Sequence, residues 1–267
     1  MTPEPMPTAA ELLAFYLEAG VDCALSEEPV NRLSEEAAIE ERPAARPAPF
    51  RTANAAPAPA LAEPAPAPEA AITSAREIAP KAASLAELRS LLDRFDGCAL
   101  KSTATQLVFA DGNPEAKIMF VGEAPGREED LEGRPFVGRS GKLLDLMLAA
   151  IGLDRSSVYI ANIIPWRPPG NRDPSPQETQ ICLPFIRRQI ELVNPDVLVC
   201  LGKPSSQAVL DLKDGIMKTR GKWFDYDTGT RKIRAMATFH PAYLLRQPIY
   251  KRLTWQDLRA VKKALQV

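Results

Sequence analysis

The chain has 267 residues, 45% hydrophobic and 25% charged, enough to build one large or two small folded domains. No apolar run of about 18 residues occurs, so no membrane-spanning helix is expected, and Met1–Thr8 lacks the basic start and apolar stretch of a signal peptide. Four cysteines without a C-x-x-C pair do not read as a disulfide framework, so the reducing cytoplasm is the expected compartment.

The net charge of −1 conceals an asymmetry. Met1–Pro80 holds 5 basic and 13 acidic residues, a net of −8, whereas Lys81–Val267 holds 28 basic and 21 acidic residues, a net of +7. A basic folded part suits a polyanionic partner, although a solvated surface would give the same count.

The chain opens with a capping box, Thr8-Ala-Ala-Glu11, ahead of a short helix over Ala9–Ala19 with Leu12, Leu13, Tyr16 and Leu17 along one side and Gly20 after it. So short a helix needs a surface to dock on, either the core or a partner protein. Residues 1–40 therefore read as a short helix with an acidic arm. Residues 41–80 read as an Ala/Pro-rich disordered linker, and 81–267 as the folded domain.

Order resumes at a second capping box, Ser84-Leu-Ala-Glu87, opening a helix over Leu85–Phe95 with Leu85, Leu88, Leu91 and Leu92 as its stripe. Cys98–Gln106 reads as a polar crossing segment, Leu107–Phe109 as a short strand and Asp111–Pro114 as a turn. The apolar run Lys117–Val121 predicts a buried strand, and Gly122-Glu-Ala-Pro-Gly126 a sharp turn at its carboxyl end, where open α/β sheets bind ligands. A helix over Gly141–Ile151 follows. The intervening loop is long and carries Glu123, Glu128, Glu129, Asp130 and a lone Phe136, which favours a site over a plain connection.

Ser157–Ile164 predicts a second buried strand containing Asn162. That amide is either internally satisfied or a ligand-reading group. Pro165–Arg172 is a stiff loop, and Ser175-Pro-Gln-Glu178 caps a helix to about Val193. A strand over Asp196–Gly202 and a helix over Ser205–Leu212 come next. Gly221–Tyr226 and Lys232–Ala237 form a strand pair around Asp227-Thr-Gly229. The last helix spans Leu253–Leu265, with Trp255, Leu258, Val261 and Leu265 inward. Strands alternating with helices predict an α/β fold, a mostly parallel sheet covered on both faces.

His240 is the only histidine, between Phe239 and Pro241 just after a strand. With no second histidine and no clustered cysteines, hydrolytic zinc is not expected. No P-loop, dinucleotide fingerprint or Gly-x-Ser-x-Gly elbow occurs, so no nucleotide cofactor is expected.

Five ordered motifs carry a resemblance: Gly122-Glu-Ala-Pro-Gly126, Pro135-Phe-Val-Gly138, Tyr159-Ile-Ala-Asn162, Arg167-Pro-Pro-Gly-Asn-Arg172 and Phe239-His-Pro-Ala-Tyr-Leu-Leu-Arg246. From about Leu85 to Arg246 the chain resembles the family 4 uracil-DNA glycosylases. The resemblance implies a three-layer α/β/α fold with a four-stranded parallel sheet and a uracil pocket at the strands' carboxyl ends. It implies hydrolysis of the N-glycosidic bond of a flipped-out deoxyuridine, leaving an abasic site for base excision repair. Under it, Phe136 stacks on uracil, Asn162 bonds its Watson–Crick edge, and Glu129 crowds C5 against thymine's methyl group. His240 donates to O2, and Glu123 lies beside the sugar and its water. Ala124 borders the pocket where family 1 places an aspartate. Leu244, Leu245 and Arg246 belong to the loop that enters the duplex. Arg167, Arg172, Lys203, Arg246 and Lys251 are candidate phosphate contacts.

Family 4 members usually hold an iron–sulfur cluster on four cysteines. Cys98 and Cys182 match the first and last, but Lys101 and Trp166 stand at the other two positions. Neither replaces a thiolate, and Cys23 is no convincing stand-in, so the expectation is a protein without cofactor or metal, its cluster lost. The expected partner is uracil-containing DNA, with no membrane, met by a nucleoid-associated monomer whose N-terminal helix is open to a protein partner. The rival readings are a catalytically weak binder of damaged DNA and a repair or replication adaptor.

Overall fold

The computed structural model describes residues 68–265. The helix expected over Ala9–Ala19, most of the linker and Cys23 lie outside the described residues.

The first described element corrects the domain boundary. Helix α1 spans Pro68–Ile78, inside the segment read as linker. Its proline sits at the start, where a missing N–H costs nothing, and the rest is proline-free. Ala71 and Ala75 are buried one turn apart and let α1 lie close against a long helix, α6 (Pro176–Val193). Helix α2 (Leu85–Arg94) forms as expected, Ser84 Oγ accepting from Glu87 N–H at 3.2 Å. A short helix α3 (Leu100–Thr103) replaces the polar crossing segment.

The centre is a six-stranded sheet. In chain order its strands are β1 (Asp111–Gly112), β2 (Ile118–Gly122), β3 (Tyr159–Asn162), β4 (Val197–Leu201), β5 (Trp223–Asp227) and β6 (Lys232–Thr238). Across the sheet the order is β1-β3-β2-β4-β6-β5. The four inner strands are parallel, matching the expected sheet, and β1 and β5 add antiparallel edges. Leu107–Phe109 is not a strand; the first strand falls on Asp111–Gly112, which reads as a turn by composition because glycine and aspartate dominate it.

Of the inner strands, β2, β3 and β4 are buried at every position because both faces are covered, and β6 is buried from Ala235 to Thr238. In β2, Ile118 and Phe120 pack with α5 (Arg139–Ala150) and α10 (Lys251–Leu265), while Met119 and Val121 pack with α1, α2 and α6. That alternation makes three layers, helices on either side of one sheet.

The inward face of α10 differs from expectation. Thr254, Asp257, Leu258 and Val261 are buried, while Trp255 is 42% exposed. Thr254 and Asp257 occupy inward turns because each has a bond there: Asp257 takes the Arg220 guanidinium and the Thr238 hydroxyl, and Thr254 donates to Tyr250 O. No described helix is long and apolar enough to cross a membrane.

Candidate active site

The parallel register places the site. Gly122, the last residue of β2, pairs with Asn162, the last of β3. Both side-chain positions therefore project to the same side at the carboxyl edge. Gly122 is an obligate gap there: a Cβ would meet Asn162 Oδ1 at 2.3 Å and the Phe136 ring at 2.6 Å. Gly122→Ala is expected to destabilise the protein by about 1–3 kcal/mol through overpacking and to cut activity. A thermal melt and an excision assay check both, and a variant with wild-type melting and rate would refute the tight approach.

Asn162 is 5% exposed, and its Oδ1 has no hydrogen-bond partner among the described residues. An unpaired buried acceptor costs about 1–3 kcal/mol. Packing accordingly leaves the amide oxygen buried and without a partner among the described residues.

The turn after β2 contains a helix the sequence does not announce, α4 (Arg127–Glu132), followed by Phe136. Glu129 is buried, and its carboxylate is taken by backbone N–H groups: Oε2 by Gly126 at 3.0 Å, Oε1 by Val137 at 3.0 Å and Gly138 at 2.9 Å. It braces the loop on both sides of Phe136. Neighbouring Asp130 is also buried and accepts from Thr105 N–H and Oγ1, each at 2.8 Å.

From the other side of the sheet, β6 delivers His240 at the N-cap of α9 (Pro241–Arg246). Its Nδ1 accepts from Ala242 N–H at 3.1 Å, so the proton of a neutral ring sits on Nε2 as a free donor. Burial first, then the nearby Arg246 cation, pushes its pKa down to about 4, keeping the imidazole neutral at physiological pH. The His240 and Phe136 rings lie 5.4 Å apart at 31°. The strand end before His240 is anchored by Thr238 Oγ1, which donates to buried Asp257 at 2.7 Å.

A cleft of about 510 Å³ opens at these strand ends. Its walls include Glu123, Ala124, Lys203, His240 and Arg246. Phe136 and Asn162 are buried and do not line it. Burial raises the Glu123 pKa above the ordinary carboxylate range, and Asp173 on the same wall adds repulsion.

The candidate phosphate contacts divide. Lys203, Arg246 and Arg172 stand on the cleft. Arg172 is held by both Glu178 oxygens at 2.9 and 2.6 Å, and Arg167 bonds Asn171 Oδ1 at 2.7 Å. Lys251 lies apart, beside an apolar groove between α5 and α10. Leu244 is 1% exposed and packs in the core, so it is not free to enter a duplex; Leu245 is exposed. Two contributors escaped sequence reasoning. Asp257 carries a signal, an acid on the apolar stripe of an amphipathic helix. Asp173, in a loop, carries none.

Comparison with known proteins fits this geometry. The profile of the Uracil DNA glycosylase superfamily matches residues 109–259. The chain is 46% identical over 155 residues to a type-4 uracil-DNA glycosylase of Archaeoglobus fulgidus, covering 57% of this chain and 78% of that one. It is 44% identical over 168 residues to the type-4 enzyme of Thermotoga maritima, covering 62% and 86%. A type-5 uracil-DNA glycosylase of Pyrobaculum aerophilum is 29% identical over 148 residues, covering 50% and 64%.

These matches correct the expectation of a protein without cofactor. That expectation set two substituted positions above the overall likeness; the relatives are type-4 enzymes, the class in which the cluster is usual, so loss of the cofactor does not stand. The described residues supply only part of a donor set. Cys98 and Cys182 are buried with their Sγ atoms 3.9 Å apart. Lys101 Nζ turns away to Asp96 Oδ1 and Asp93 O, both at 2.6 Å, and Trp166 is buried. No group of three or more His, Cys, Asp or Glu that could hold a metal occurs among the described residues. Two thiols do not fit a four-thiolate cluster, and no chemical step below depends on one.

Proposed function

The chain belongs to the uracil-DNA glycosylase superfamily, and from that premise we propose that it is a monofunctional uracil-DNA glycosylase. It takes a deoxyuridine flipped out of DNA, hydrolyses the C1′–N1 bond, and releases uracil from an abasic site. One observation carries the reading: a neutral histidine donor after β6 and a raised-pKa carboxylate after β2 line one cleft at the carboxyl ends of the parallel strands, and a buried amide with an unpaired acceptor ends the neighbouring β3.

Each group has a task that its environment suits. Phe136 offers a ring for stacking, worth about 1–3 kcal/mol per base. Asn162 accepts from uracil N3–H and donates to O4, which fills its empty acceptor. As the C1′–N1 bond breaks, its electron pair leaves on uracil and charge gathers on O2. His240 Nε2–H stabilises that charge as a neutral donor, the role of an oxyanion hole. Water adds to the oxocarbenium-like sugar, and Glu123 takes its proton. Lys203 and Arg246 hold phosphates beside the cleft. Glu129 acts chiefly through the loop, since its oxygens are occupied by backbone donors.

The test is a strand-cleavage assay at abasic sites, using single-stranded and duplex DNA with one uracil. Excision is expected in at least one form; tight binding without excision would make the protein a binder.

The pH profile is a second expectation. Glu123 must be ionised to take a proton, so its raised pKa puts the acid limb of the rate above the ordinary carboxylate range. His240, with its pKa near 4, adds no inflection between pH 6 and 7. Glu123→Gln should slow excision and abolish the acid limb. A wild-type inflection near pH 6.5 that disappears in His240→Gln would contradict both assignments.

A further inference from the structure

Among the described residues, four other than glycine have positive φ: Phe136, Asn171, Asn194 and Asp211. Asparagine and aspartate tolerate that region; a bulky aromatic at φ +56° does not adopt it without being held. The peptides around Phe136 are held from both sides. Glu129 takes the N–H groups of Val137 and Gly138. On the carbonyl side stands Arg155, from the connection between α5 and β3. It donates from Nη1 to Pro135 O at 3.1 Å and from Nη2 to Phe136 O.

Arg155 is aimed by two carboxylates, Asp111 through Nη1 at 2.5 Å and Asp145 through Nε at 2.8 Å. It does not line the cleft. The Phe136 carbonyl also lies tight against the first turn of α5, where a Cβ on Gly141 would approach it to 1.7 Å. That carbonyl therefore has little room beside the helix, and the guanidinium bonds it where it stands.

We propose that Arg155, oriented by Asp111 and Asp145, is a positioning residue for the stacking ring: its fork on the Pro135 and Phe136 carbonyls, opposite Glu129, locks Phe136 in the left-handed conformation that presents the ring beside Asn162 and His240. This rests on Phe136 being the stacking surface, as in the function proposed above.

The test is single-turnover excision from a uracil-containing oligonucleotide by wild type, Arg155→Met, Arg155→Lys, Phe136→Ala and the Arg155→Met/Phe136→Ala double variant. Arg155→Met should slow excision by about 10-fold or more, since a small misplacement of a substrate-orienting group is costly. Arg155→Lys should restore part of the rate, because an ammonium reaches one carbonyl and lacks the fork. The double variant should be no slower than Phe136→Ala alone, the mark of one residue acting through the other. A wild-type rate in Arg155→Met, or losses that multiply in the double variant, overturns the proposal. Absence of excision in the wild type defeats the function reading instead. If Arg155→Met does not fold, Asp145→Asn, a change at a half-exposed side chain, carries the comparison. Its smaller slowing should vanish in the Phe136→Ala background, and equal slowing in both backgrounds overturns the proposal.

Discussion

His240→Ala is expected to slow single-turnover excision by about 100-fold or more while leaving DNA affinity nearly unchanged. The ring is a neutral donor before the reaction begins: Ala242 N–H occupies Nδ1, and burial holds the pKa at about 4. Its bond to O2 strengthens only as charge develops there, so its loss falls on the rate rather than on binding. His240→Gln keeps a donor of different reach and should recover part of the loss. Stability gives an independent check with a definite sign. The folded pKa lies below the unfolded value of about 6.5, so the contribution of a neutral His240 is fully present above pH 6.5 and is lost as pH falls towards 4. His240→Ala should flatten that part of the stability–pH curve. An excision rate equal to wild type would remove His240 from the chemistry.

Asn162→Ala is expected to lower excision by roughly 10- to 100-fold, the scale of losing a hydrogen-bond pair at a buried polar site. Its diagnostic is the contrast with stability. Among the described residues Oδ1 has no partner, so the substitution removes an unpaired acceptor rather than an internal bond. Melting should stay within about 5 °C of wild type, less than the shift a lost buried hydrogen bond and a cavity would bring together. A large fall in melting temperature with excision intact would make Asn162 a structural amide.

Arg155 and Asn162 show opposite limits of sequence reading. Asn162 was noticeable because an amide interrupts an apolar strand, yet the sequence left open whether a neighbour satisfied it. Only the β2–β3 register, which sets Asn162 opposite a glycine, answered that. Arg155 sits in a connection among other charged residues, and no local pattern separates a guanidinium that grips two carbonyls from one in solvent.

What the sequence determined by itself was the alternation of buried strands and capped helices, and hence the parallel sheet, the edge that carries the site and the five motifs that identify the family. Those features arise from hydrophobic periodicity, capping residues and glycine turns, which act over a few residues and are written locally. What only the tertiary structure decided was how side chains distant in sequence share space. Glu129 spends its oxygens on the loop, Leu244 points into the core, Trp255 yields its inward place to Thr254 and Asp257, and α1 begins inside a segment read as linker. Each outcome turns on which partner comes within bonding or packing distance, and that is set by the meeting of elements far apart in the sequence, which no local pattern records.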